Sequence, residues 1–271
     1  MTTTATAAST DSAATAGRRA PMNLWRLEWL RLTRTPRAIA LAVVYLLLGL
    51  IEPVATKYEN QLIGNHVGNG IRIYLPPPTP ADGLNGYISE ATLIGLILVV
   101  TLAAGALGFD AHKGLAVFLR TRSTHIWRLI APRYTVITAA AAAAYLLGTL
   151  AAWYETNLLI GPLPLDGMLG GMLCGTIYLA FAVATTALAA SLARSTVAIT
   201  GTTLVILLAL PILGTIHPID PYLPSTLVNA PVQLVDGTWT LTHFLPALGI
   251  TAAASAAALA LAAARLRTRE I

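Results

Sequence analysis

The chain has 271 residues, of which 56% are apolar and only 11% are Asp, Glu, Lys or Arg, with a formal charge of +5. A water-soluble domain carries about 45–50% apolar and about 25% charged residues, so the composition excludes a soluble globule and points to a bilayer. The bases gather at the mouths of apolar segments and not on one polar face, which excludes a nucleic-acid surface.

Residues 1–21 are mostly Thr, Ala and Ser with the pair Arg18 and Arg19, and nothing there is large enough to bury. They are expected to form a disordered tail. The order of a secretory signal, basic start then apolar core then small-residue cleavage site, is absent before Met22. A short helix is predicted from Asn23 to Thr35, with Trp25, Trp29 and Leu32 along one side and Arg31 and Arg34 on another. Leu27 and Leu30 fall near the charged side, so it is imperfectly amphipathic. Such a helix lies in the headgroup region, its indoles at the boundary and its arginines near anionic lipid.

The first spanning segment begins after Arg37 and reaches the far interface near Glu52 and Pro53, or extends through Val54 and Ala55. The second runs from Ala91 to Gly108 and the third from about Tyr134 to Trp153, where Ala139 to Ala144 offers a smooth surface for close helix contact. No charge interrupts the chain between Asp166 and Arg194 or between Arg194 and Asp220, so two further spans form a hairpin with Arg194 at its turn. A sixth span fits from about Phe244 to Ala264. Residues 22–271 are thus predicted as one all-α, six-helix transmembrane domain, since each run approaches the ~20 apolar residues that cross a bilayer.

Lys and Arg are retained on the cytoplasmic side of short loops. With the amino terminus inside, only Lys57 and Arg72 of the 17 bases fall outside. Both termini are therefore expected to be cytoplasmic. The single cysteine, Cys174, lies inside an apolar run; it permits no intrachain disulfide and reads as a packing residue.

Enzymatic motifs are missing. A P-loop needs a Lys after glycine to cradle phosphates, whereas the only lysines, Lys57 and Lys113, follow Thr56 and His112. There is no His-Glu-x-x-His and no Gly-x-Ser-x-Gly, and the five histidines are scattered. The fragment HPIDP at His217 to Pro221 suits a proline-held turn better than a metal site. No catalytic role, metal site or cofactor on this chain is expected.

The stretch GFDAHKGLAVFLRTRSTHIWRLIAPRY, from Gly108 to Tyr134, is the longest inner loop. Leu115, Phe118 and Leu119 recur at helical spacing, with Lys113, Arg120 and Arg122 beside them. Either the bases only hold the loop inside and the apolar residues rest on the membrane, or the helix docks on a partner.

Here the chain resembles the permease subunits of ABC-2 type ABC transporters, particularly the small actinobacterial ones. The likeness rests on six spans, an interfacial helix before the first, and an inner loop offering Asp110, Gly114, Phe118 with Leu119, Arg120 with Arg122, and Arg133 in the family's order. The chain has Asp where Glu is commoner, Leu115 where Thr often follows the Gly, and no Pro after the aliphatic pair. PYLPSTLVNAPVQLVDG, Pro221 to Gly237, resembles the partly re-entrant segment before the sixth span, and ARLRTRE, Ala264 to Glu270, the basic exit.

The resemblance implies that the loop is a coupling helix seated on a separate ATP-binding subunit, two of which, carrying ATP and Mg, serve two permease chains, identical or different. Asp110, Lys113, Gly114, Phe118, Leu119, Arg120, Arg122 and Trp127 would make that contact, the bases through charge-assisted bonds and Phe118 as a buried anchor. It also implies that the second and fifth spans face the dimer axis, which makes Thr92, Leu96, Val99 and Ala103 with Thr200, Thr203, Leu207 and Pro211 the candidate substrate path. These are equally readable as ordinary packing residues. Pro211 would kink its helix. Glu52, the acid beside an apolar run, is a candidate outer gate.

The implied activity is export of a hydrophobic or amphipathic cargo, such as a drug, lipid or peptide, across a bacterial plasma membrane. The alternatives are a non-transporting membrane protein (anchor, assembly or immunity factor), a secondary transporter, and an intramembrane enzyme. The last two lack, respectively, mid-membrane charges with paired broken helices and clustered nucleophiles or paired acids.

Overall fold

Hydrocarbon offers no partner for a bare peptide group, so an apolar run that enters it must close its own hydrogen bonds as helix. The computed structural model describes residues 24–66, 76–108, 127–216 and 219–268, and among these there is no strand. In chain order the helices are α1 (Leu24–Arg34), α2 (Pro36–His66), α3 (Pro80–Glu90), a π-helical turn (Ala91–Gly95), α4 (Leu96–Leu107), α5 (Trp127–Leu159), α6 (Leu165–Leu192), α7 (Thr196–Leu213), α8 (Thr226–Val235) and α9 (Leu245–Thr268). Short 3-10 turns occupy Asp220–Tyr222 and Leu241–Phe244. Six segments are long and apolar enough to cross a membrane: Pro36–Glu59, Pro80–Leu107, Ile130–Leu159, Leu165–Leu192, Thr196–Leu213 and Leu241–Arg267. The chain is an all-α, six-helix transmembrane protein, with α1 as a separate short helix ahead of the first span.

Two boundaries depart clearly from the sequence-based expectation. The first helix does not stop near Pro53 but runs through it to His66, so Glu52 lies inside the span. A proline in a membrane helix is tolerated because neighbouring groups re-satisfy the carbonyl it frees. The second span starts at Pro80 instead of Ala91, because Thr79 and Asp82 form a capping box around a first-turn proline and nucleate the helix a full three turns early. α3 passes into α4 through the π turn, which inserts an extra residue into the helical register. The hairpin turn at Arg194 is as expected: α6 ends at Leu192, and Ser195 caps α7 by accepting from the Ala198 amide at 3.2 Å.

α6 is the axis of the molecule, packing against α9, α8, α5, α4 and α7. Small residues make this possible. A Cβ at Gly171 would overlap Pro231 of α8, and one at Gly175 would overlap the Tyr145 ring of α5. The α2–α5 pair is equally close: a Cβ at Gly49 would land on the Gly148 carbonyl, and one at Gly148 on the Tyr45 carbonyl. Such backbone approach is the usual way helices associate in lipid, where apolar surface alone gives no drive. α8 is the amphipathic segment before the last span; Leu227, Ala230 and Leu234 are buried, and Gly237 with φ 72° ends it in the left-handed conformation glycine permits.

Candidate functional site

Two polar arrangements stand out in this apolar bundle, one at the basic end and one inside it. At the basic end, α1 docks through Glu28, its only acid, while Trp25 and Trp29 are half exposed on other sides. Arg133 of α5 donates from Nε to Glu28 Oε1 at 2.9 Å and from an Nη to the Ala106 carbonyl oxygen, near the end of α4, at 3.0 Å. The two side chains are 8% and 11% exposed. Arg31 approaches the other carboxylate oxygen at 4.0 Å. One guanidinium thus ties the interfacial helix, the last turn of the second span and the first turns of the third. A planar fork of donors suits this three-way role where a lysine would not. The Ala106 carbonyl is among those a helix end leaves without an intrahelical partner, and Arg133 satisfies it.

Inside the bundle, Tyr45 of α2, Tyr87 of α3, and Tyr145 of α5 meet with Tyr178 of α6 nearby. The Tyr45 and Tyr145 rings are edge-on with centroids 6.3 Å apart, and Tyr87 and Tyr145 are stacked at 6.4 Å. Tyr87 donates its hydroxyl to the Tyr145 carbonyl oxygen at 3.1 Å, as does Thr149 Oγ1 at 2.7 Å, and the two hydroxyls lie 3.3 Å apart. Gly95, in the π turn, makes room for the Tyr45 ring. Tyr45, Tyr145 and Tyr178, with Thr92 and Leu96, line a small internal cavity of about 20 Å³, room for about one water molecule. Aromatic faces with hydroxyl tips let this layer pack as core while each buried hydroxyl can find a hydrogen-bond partner.

Glu52 is half buried beside Gly86. It lies 15 residues past Arg37, about 22 Å along the helix at 1.5 Å per residue. Glu90, at the end of α3, is within electrostatic reach of it. Glu52 and Glu90 therefore sit within membrane-spanning helices, Glu52 two turns from Tyr45 along one helix face.

Of the residues expected to contact an ATPase, Trp127 opens α5 and is 40% exposed. Asp110, Lys113, Gly114, Phe118, Leu119, Arg120 and Arg122 lie outside the described residues. Of the expected substrate path, Leu96, Val99 and Ala103 are buried on α4 and Thr203 and Leu207 on α7, helices that pack on each other. In a single chain these five are interior packing positions. Thr92 and Thr200 are half buried and Pro211 is exposed. Glu28, Glu90 and the tyrosines were not singled out by sequence. A lone acid in the basic stretch LWRLEWLRLTR was the available signal for Glu28. Among the described residues no three His, Cys, Asp or Glu side chains gather as metal ligands.

Over 140 residues the chain is 21% identical to the uncharacterized transmembrane protein YxlG of Bacillus subtilis (strain 168), covering 51% of this chain and 54% of that protein. The match thus spans about half the length of that relative. No family model matches the chain, and no solved structure does.

Proposed function

We propose that the chain is the transmembrane permease subunit of an ATP-driven exporter of the ABC-2 type, working with two copies of a separate ATP-binding subunit and with a second permease chain. The observation that carries this reading is the Glu28–Arg133–Ala106 tie. It makes one mechanical unit of α1 and of the two helix ends that flank residues 109–126. A push delivered to that loop by a partner would then reach the second and third spans together, without being lost in a loose interfacial helix. The basic character of the loop supports an acidic docking surface on the partner. ATP and Mg would be held by the partner, and this chain would supply the path.

The excess of bases at this end favours a bacterial plasma membrane with both termini in the cytoplasm. The apolar spans suit a hydrophobic or amphipathic cargo. The test is gentle solubilisation of native membranes containing the tagged chain, followed by mass spectrometry of what is retained. A co-purifying P-loop ATPase that is lost with Phe118→Asp, the variant still being membrane-inserted, is the expected result. Absence of any ATPase under conditions that preserve other complexes would favour an anchor, assembly or immunity role instead.

A further inference from the structure

The Glu28–Arg133 tie leaves an open cleft beside it, between α1 and the ends of α2, α4 and α5, with a cavity of about 50 Å³ open to the surroundings. Its polar wall carries Glu28, Arg31, Arg37 and Arg133, three cations against one anion. Glu28 is already committed to Arg133 at 2.9 Å and lies only within 4.0 Å of Arg31. The Arg37 guanidinium lies over Gly105, with Nη1 3.6 Å from where a Cβ would stand. The start of α2, a helix of 31 residues beginning at Pro36, brings its positive dipole end to the same wall. The remaining wall is apolar: Leu32 from α1, Leu102 from α4, and Val136 and Ile137 from α5.

Positive charge above and aliphatic surface below, at the depth where a spanning bundle meets headgroups, is the chemistry of an anionic phospholipid. A phosphodiester neutralises the excess guanidinium charge with charge-assisted bonds, and an acyl chain follows the apolar wall into the bilayer. A free phosphate would use only the upper half of the cleft. We propose that this cleft is a discrete binding site for one anionic phospholipid of the leaflet at the basic end, held by Arg31 and Arg37. The lipid fills the wedge between the interfacial helix and the spans, and braces the unit that Arg133 ties. This is separate from the diffuse attraction of a basic helix to a charged surface, and it does not depend on the transport reading.

The test uses the full chain reconstituted in phosphatidylcholine vesicles containing phosphatidylglycerol, with bromine on the acyl chains of one lipid or the other. Quenching of tryptophan fluorescence, to which Trp25 and Trp29 on α1 contribute, reports which lipid occupies the cleft. The wild type should prefer brominated phosphatidylglycerol, by roughly fivefold for each guanidinium engaged. Arg31→Gln and Arg37→Gln should each lose about that factor. Arg34→Gln, on the same helix but outside the cleft, should retain the preference. Equal loss with Arg34→Gln would mean surface attraction only and would overturn the site. So would an unchanged preference in Arg37→Gln, or displacement of the lipid by inorganic phosphate at constant ionic strength.

Discussion

Helices α6 and α7 are neighbours joined by three residues, and their apolar windows are alike, with mean hydropathy 1.8 and 2.2, yet 72% of the first is buried against 17% of the second. In water the more apolar helix would be the inner one. In lipid both faces must be apolar anyway, so hydropathy stops discriminating and side-chain size takes over. α6 turns glycines, alanines and threonines toward its neighbours, among them Gly171, Gly175, Ala182, Thr185 and Thr186. α7 turns Val197, Val205 and Ile212 outward, each at least 69% exposed. The buried threonines of α6 spend their hydroxyls on their own helix, Thr185 on the Phe181 carbonyl and Thr186 on that of Ala182. They therefore need no outside polar partner.

The sharpest way to break this contrast is to enlarge glycines on both helices. Gly175→Leu would drive a side chain into the Tyr145 ring, and loss of more than ~4 kcal/mol is expected, the range of severe overpacking. Gly201→Leu on α7 has nothing within 4 Å of its Cβ position and should leave the elution profile in mild detergent unchanged. Equal behaviour of the two variants would refute the assignment of α6 as the packed axis.

A smaller but still large effect is expected at the basic end. Arg133→Ala leaves the Glu28 side chain, only 11% exposed, without its main partner, and removing one partner of a buried pair costs about 3–5 kcal/mol. Denaturant titration of Arg133→Ala, Glu28→Ala and the double variant should give strongly non-additive losses; simple additivity would show that the two do not act together. Next comes Tyr87→Phe, which removes one hydroxyl hydrogen bond to the Tyr145 carbonyl and should cost about 1 kcal/mol, with little change in fold. The smallest effect is expected for Val205→Ala, within about 0.5 kcal/mol in detergent. If the same change weakens self-association in the membrane, the outer face of α7 meets a second permease chain and not lipid.

Six spans were legible because charge is absent from each run and basic residues mark one end of it. The early start of the second span was not, because Asn85, Gly86 and Glu90 dilute its hydropathy, although Thr79, Pro80 and Asp82 spell its cap. Helix faces were out of reach: Val99, Ala103, Thr203 and Leu207 suit a cargo path as well as a core, and only packing places them inside. The polar contacts were hidden by distance along the chain. Glu28 and Arg133 are 105 residues apart, and Tyr87 and Tyr145 are 58 apart, so no local spacing announces either pair. The loop expected to meet an ATPase lies outside the described residues, and the coupling role proposed for it rests on its sequence and on the Arg133 tie between the helices at its two ends.

The most direct test of that role is site-specific photo-crosslinking in native membranes, with benzoylphenylalanine in place of Phe118. A coupling role for this loop requires one dominant protein adduct, identified by peptide mass spectrometry as an ATP-binding subunit with a P-loop, and its loss when Arg120 and Arg122 are both changed to Glu. Adducts only to lipid, or to a protein without a nucleotide-binding fold, would contradict it.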